Sequence, residues 1–141
     1  MLTIFLTVVT GVTVFVIGQL LVKFIIDPIK ELKQVIGEIQ FSLTFHAQAI
    51  YTPVGDEVGE DVAQKEIRKL ASSLRSKVEM IPCYRFFSKI LGDFLPPKNS
   101  IIDASVQLIG LSNSLHQWDR SKKNSGRVKK IQELLVLGTL Q

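Results

Sequence analysis

Hydrophobic and polar positions divide this chain into one long apolar run and a series of amphipathic segments. From Met1 to Val22 no side chain is charged, and Leu, Ile, Val and Phe dominate, interrupted by Thr, Gly and Gln19. As a helix rising ~1.5 Å per residue, the run reaches roughly 33 Å, enough to cross a hydrocarbon core of about 30 Å. The pattern predicts a transmembrane anchor over residues 1–26 and a separate domain over 27–141.

The domain reads as helix throughout. Asp27-Pro28 suits a helix start, with Asp as N-cap and Pro at the first helical position. A helix is predicted from Pro28 to Ile50, with Ile29, Leu32, Val35, Ile36, Ile39, Leu43, Ala47 and Ile50 on one face. Phe41 and Phe45 widen that face. Pro53 and Gly55 break the pattern. A helix from Gly59 to Met80 follows, with Ala63, Ile67, Leu70, Ala71, Leu74 and Val78 inward and Lys65, Arg68, Lys69, Arg75 and Lys77 outward. Its acidic start at Asp56, Glu57, Glu60 and Asp61 and its basic end complement the helix dipole.

Beyond Pro82, Cys83 to Leu91 reads as a short aromatic-rich helix, and Gly92 to Pro97 as a rigid connection. A helix from Ser100 to His116 is predicted, capped by Asn99 or Ser100. Its inner face takes Ile101, Ile102, Ser105, Leu108, Ile109, Ser112 and Leu115. Trp118 to Gly126 reads as a mobile polar loop and Arg127 to Leu137 as a last amphipathic helix. No strand-like alternation or repeat intervenes. The expected fold is all-α: an N-terminal transmembrane helix followed by a small bundle of antiparallel helices.

Charge adds a topology. No Lys or Arg precedes the apolar run, whereas Lys23, Lys30 and Lys33 follow it. The positive-inside rule then places the N-terminus outside and the C-terminal domain in the cytoplasm. The uncharged start, the length of the run and the lack of an A-x-A-like site favour an uncleaved anchor over a signal peptide. A single cysteine, Cys83, excludes an intramolecular disulfide and fits a reducing compartment. Within the anchor, Thr3, Thr7, Gly11 and Gly18 form a small-residue stripe, a pattern that membrane helices also tolerate without pairing.

Candidate chemistry is sparse. His46 and His116 have no partners at metal-ligand spacing, so neither a metal nor a cofactor is expected. Cys83 beside Arg85 lacks a paired base and reads as a small core residue. No phosphate-loop, nucleophile-elbow or zinc-protease motif is present, which disfavours an enzyme. The strongest charge feature is Arg120, Lys122, Lys123, Arg127, Lys129 and Lys130, six cations in eleven residues. Such a cluster can meet anionic lipid or nucleic acid, or simply be solvated. The net charge of +4 and the lack of interleaved aromatics disfavour nucleic acid.

Two resemblances add to this reading. Pro28 leading an amphipathic helix, followed by Asp56-Glu57-Val58-Gly59, resembles a HAMP linker of bacterial signalling receptors over residues 28–74. That resemblance implies a parallel dimeric four-helix bundle relaying a conformational signal. The stretches FVIGQLLVKFIIDPIKELKQVIGEI, IPCYRFFSKIL, LPPKNSIID and LIGLSNSL resemble small bacterial single-pass membrane proteins. This likeness implies an anchored inner-membrane architecture and transfers no activity. The expected function is non-enzymatic. The partners would be the bilayer and a protein, either another chain or a second copy.

Overall fold

The computed structural model describes residues 1–52, 55–115, 117 and 121–135. Helix α1 (Leu2–Leu21) passes through a π-helical turn (Val22–Ile26) into α2 (Asp27–Phe45), followed by α3 (Ala47–Tyr51) and α4 (Glu57–Met80). Helix α5 (Tyr84–Leu91) and a 3₁₀ turn (Gly92–Phe94) precede α6 (Lys98–Ser112) and α7 (Ser121–Leu134). Among the described residues there is no strand, and the all-α fold holds. No α1 side chain is buried. It is the one helix, among those described, long and apolar enough to cross a membrane.

The expected helix start at Asp27 is not found. Asp27 is itself helical (φ −63°, ψ −47°), and its N–H reaches back five residues to the Val22 carbonyl. Pro28 removes the N–H that would bond the Phe24 carbonyl and presses its ring against that carbonyl. Widening the preceding turn into a π-helix relieves the clash without ending the helix. Leu2 to Phe45 therefore form one 44-residue helix.

Long-range polar pairs fix the bundle's directions. Glu31 of α2 and His46 just past its end meet Lys77 (2.6 Å) and Glu66 (2.9 Å) of α4, so these helices run antiparallel. Glu79 meets Lys98 at 2.7 Å, and Arg68 bonds Asn113 just past α6, which sets α6 antiparallel to α4. Asn124 bonds Ser114, and Arg127 lies over Gly110, which sets α7 antiparallel to α6. Exposed ion pairs contribute little energy, so they record register more than stability. The core holds Leu32, Ile39, Ile50, Ile67, Leu74, Leu95, Ile101, Leu108, Leu111 and Ile131.

Four expected details change. The Pro28–Ile50 helix breaks at His46 (φ −93°, ψ 19°), so Ala47 onward is a separate short turn. Pro97 rather than Asn99 or Ser100 precedes the first turn of α6. The inner face of α6 is Ile101, Ala104, Ser105, Leu108, Leu111 and Ser112, while Ile109 faces out. The expected loop is helical from Ser121, because Asn124 turns inward and is fully buried. Trp118, Asp119 and Arg120 of that loop, His116, and the expected helix end at Val136 and Leu137 lie outside the described residues.

Candidate functional site

The outer edge where α2 meets α4 gathers large apolar side chains that the core does not use. Phe41 and Phe45, one turn apart, are 65% and 70% exposed. Their rings stack with centroids 5.6 Å apart. On the α2 wheel they lie well away from the stripe of Leu32, Val35, Ile39 and Leu43, so they cannot enter the core with it. Val58 and Val62 on α4 are likewise exposed. Phe41 and Val62 line one groove with Glu38, Lys65, Glu66, Lys69, Leu70 and Ser73. Phe45 lines an adjoining cleft with His46, Gln48, Ala49, Asp56, Gly59 and Glu60.

The helix break at His46 shapes this surface. Its ring is buried against Phe45 edge-on, with centroids 5.0 Å apart. Nε2 of His46 lies 2.9 Å from Oε2 of Glu66, tying the end of α2 to α4. That hydrogen bond holds the Glu66 carboxyl below its ordinary range, against the opposing effect of burial. Asp56 caps α4 by accepting from the Gly59 N–H at 3.2 Å. This capping accounts for Asp56 in the D-E-V-G stretch as a helix start. The antiparallel α2–α4 pair also differs from the parallel arrangement a HAMP linker implies.

The sequence-predicted basic residues take several places. Lys122, Lys123, Lys129 and Lys130 are exposed on the outer face of α7. Arg127 is half-buried, its guanidinium lying across Gly110, where an added Cβ would come within 2.5 Å of Nη1. Arg127 thus serves α6–α7 packing, and Arg120 lies outside the described residues. Lys122 and Lys123 immediately precede Asn124, which bonds the Ile50 carbonyl just past α2. They sit at the end of the bundle away from α1. No cluster of three or more His, Cys, Asp or Glu able to hold a metal occurs among the described residues.

Cys83 departs from its expected core position. It is exposed at the crest of the turn between α4 and α5, with a left-handed φ of +52°. Phe41 and Phe45 also depart from the sequence pattern, which widens the buried face with both, whereas both are exposed. Their two-residue offset from Ile39 and Leu43 is the signal that separates them. Comparison with family models, curated proteins and solved structures gives no match.

Proposed function

We propose that this chain is a non-enzymatic, single-pass inner-membrane protein whose helical domain docks a partner protein on the α2–α4 edge. The observation that carries the reading is the exposed, stacked Phe41–Phe45 pair beside Val62. Aromatic side chains clustered in a groove are the usual energetic centre of a protein interface. Glu38, Lys65, Glu66 and Lys69 form a mixed-charge rim around it, suited to a partner of either sign pattern, a second copy included. Lys23, Lys30 and Lys33 after α1 support a cytoplasmic domain with the N-terminus outside. Within α1, Thr7, Thr10 and Thr13 return their hydroxyls to carbonyls one turn back, at 2.8–2.9 Å. This satisfies their donors in an apolar surrounding and suits a helix in lipid.

The test is photo-crosslinking in cells from positions 41, 45 and 62 of the full chain. A discrete adduct is expected, and the Phe41→Ser/Phe45→Ser variant should lose the adduct from position 62. An adduct at twice the chain's mass would identify a second copy as the partner. Failure of all three positions to crosslink, with the protein present in the membrane fraction, would refute the docking surface. Reporter fusions at Gln141 should be active only as cytoplasmic reporters.

A further inference from the structure

A second exposed apolar surface lies at the opposite end of the domain, where α1 joins it. The register that places Lys77 beside Glu31 brings the end of α4 and the start of α6 next to the start of α2. Helix α5 and its 3₁₀ turn connect those two ends. Lys33 of α2 ties the connection down: its Nζ donates to the Phe94 carbonyl at 3.0 Å and lies 4.6 Å from the centre of the Phe94 ring. Tyr84 anchors the other side, buried and donating its hydroxyl to the Pro96 carbonyl at 2.5 Å. An apolar groove runs from Ile26 and Ile29 at the α1–α2 junction to Leu91 and Phe94.

The α5 sequence YRFFSKIL is strongly two-sided. Tyr84 and Phe87 turn towards the bundle. Phe86 and Ile90 share the next strip of the helix and are 60% and 63% exposed. Leu91, next to Ile90, shares the groove with Phe94 and Ile26, and all three are exposed towards α1. Arg85 and Lys89 occupy the adjoining strip, and residues 81–92 contain no acid. Apolar residues flanked by cations on a short helix are the pattern of an interfacial membrane helix, with the apolar edge in the acyl boundary and the cations among phosphates.

We infer that α5 lies in the headgroup region of the leaflet that α1 leaves, inserting Phe86 and Ile90, with Arg85 and Lys89 among anionic headgroups. The inference rests on the reading that α1 crosses the bilayer. The bilayer is the assigned occupant because the groove of Ile26, Ile29, Leu91 and Phe94 joins the end of α5 to the point where the spanning helix ends. Two contacts, one through the bilayer and one along it, fix the tilt of the domain and hold the α2–α4 edge away from the surface.

The test uses the full chain in vesicles of phosphatidylethanolamine and phosphatidylglycerol. In a Cys83→Ala background, single cysteines replacing Val9, Phe86, Ile90 or Lys122 carry an environment-sensitive fluorophore. Lipids with a spin label high on the acyl chain act as quenchers. Labels at 86 and 90 should lose about half of their emission, as expected for burial about 5–10 Å into the interface. The label at 122 should be unaffected. A label at Val9 that is quenched by a deep spin label establishes the spanning helix independently. Quenching at 9 without quenching at 86 and 90 would overturn the α5 contact alone. Absence of quenching at 9 would overturn the spanning reading itself. Disulfide or photo-crosslinks between copies at 86, with no lipid quenching, would assign the face to self-association and overturn the proposal.

Discussion

Asn124→Ala is the substitution that most directly tests the helical α7. Asn124 is fully buried, and its side chain joins three elements. Its carbonyl oxygen accepts from the Ser114 hydroxyl at 2.6 Å, and its amide donates to the Ile50 carbonyl at 3.2 Å. Truncation breaks both bonds with unequal consequences. Ser114 retains the Leu111 carbonyl as an acceptor at 2.9 Å, so its hydroxyl stays satisfied. The Ile50 carbonyl loses this amide in a buried place, and an orphaned buried group costs about 1–3 kcal/mol. Adding a small cavity term gives a destabilisation of roughly 2–3 kcal/mol.

For a domain of this size that corresponds to a midpoint lowered by roughly 8–12 °C. The assay is thermal and urea unfolding of the full chain in micelles, followed by far-ultraviolet circular dichroism. Ser125→Ala, exposed one residue along, should stay within about 0.5 kcal/mol. Asn124→Asp keeps an acceptor for Ser114 but sets carboxylate lone pairs against the Ile50 carbonyl. It should be at least as damaging near neutral pH. Wild-type stability in Asn124→Ala, together with unprotected amides over 124–128, would refute both the clasp and the helix.

Two further outcomes are expected. The lowered Glu66 pKa stabilises the fold above the unfolded carboxyl value of about 4.3, and this contribution is lost as pH falls through the lower folded value. A pH series of urea midpoints should therefore be flatter in acid for Glu66→Gln; an unchanged slope would remove the His46–Glu66 tie. Gly92 has φ +48° and ψ −121°, a conformation that strains any residue with a Cβ, so Gly92→Ala should cost about 1–3 kcal/mol. Hydrogen exchange should quicken over Tyr84–Leu91 more than over α4; equal change throughout would refute a local effect.

Helix α4 was legible, to within two residues at its start, because three signals agree there. Its acidic cap, its regular inner stripe from Ala63 to Val78 and its basic end specify one helix, and all six expected inner residues are buried. The start of α7, residues 121–126, was hidden because its first inward-facing residue is Asn124. A polar residue satisfied by a tertiary hydrogen bond leaves no hydrophobic period to read. Asp27-Pro28 misled for a different reason. Cap chemistry is local, whereas the π-turn that lets a helix run through Pro28 leaves no composition signal. Phe41 and Phe45 lie across α2 from the stripe that fills the core, and the pattern over α5 assigns no inner face, so neither apolar edge follows from the sequence. A stripe in sequence does not say how wide the covering neighbour is.

The two apolar edges gain meaning from the continuous helix that separates them. From Asp27 to Phe45, α2 advances roughly 27 Å at ~1.5 Å per residue. Phe86, Ile90 and Phe94 gather at the near end of that distance, and Phe41 and Phe45 occupy its far third. The core between them, centred on Leu32, Ile39, Ile67 and Leu74, is fully buried and cannot slide without loss of packing. Because Pro28 is absorbed without a break, the direction of α2 is tied to that of α1. A bilayer contact at α5 would fix the remaining rotation about that axis. The Phe41–Phe45 pair would then be presented at a set height and direction above the membrane, which is the arrangement that recruiting a partner to a surface requires.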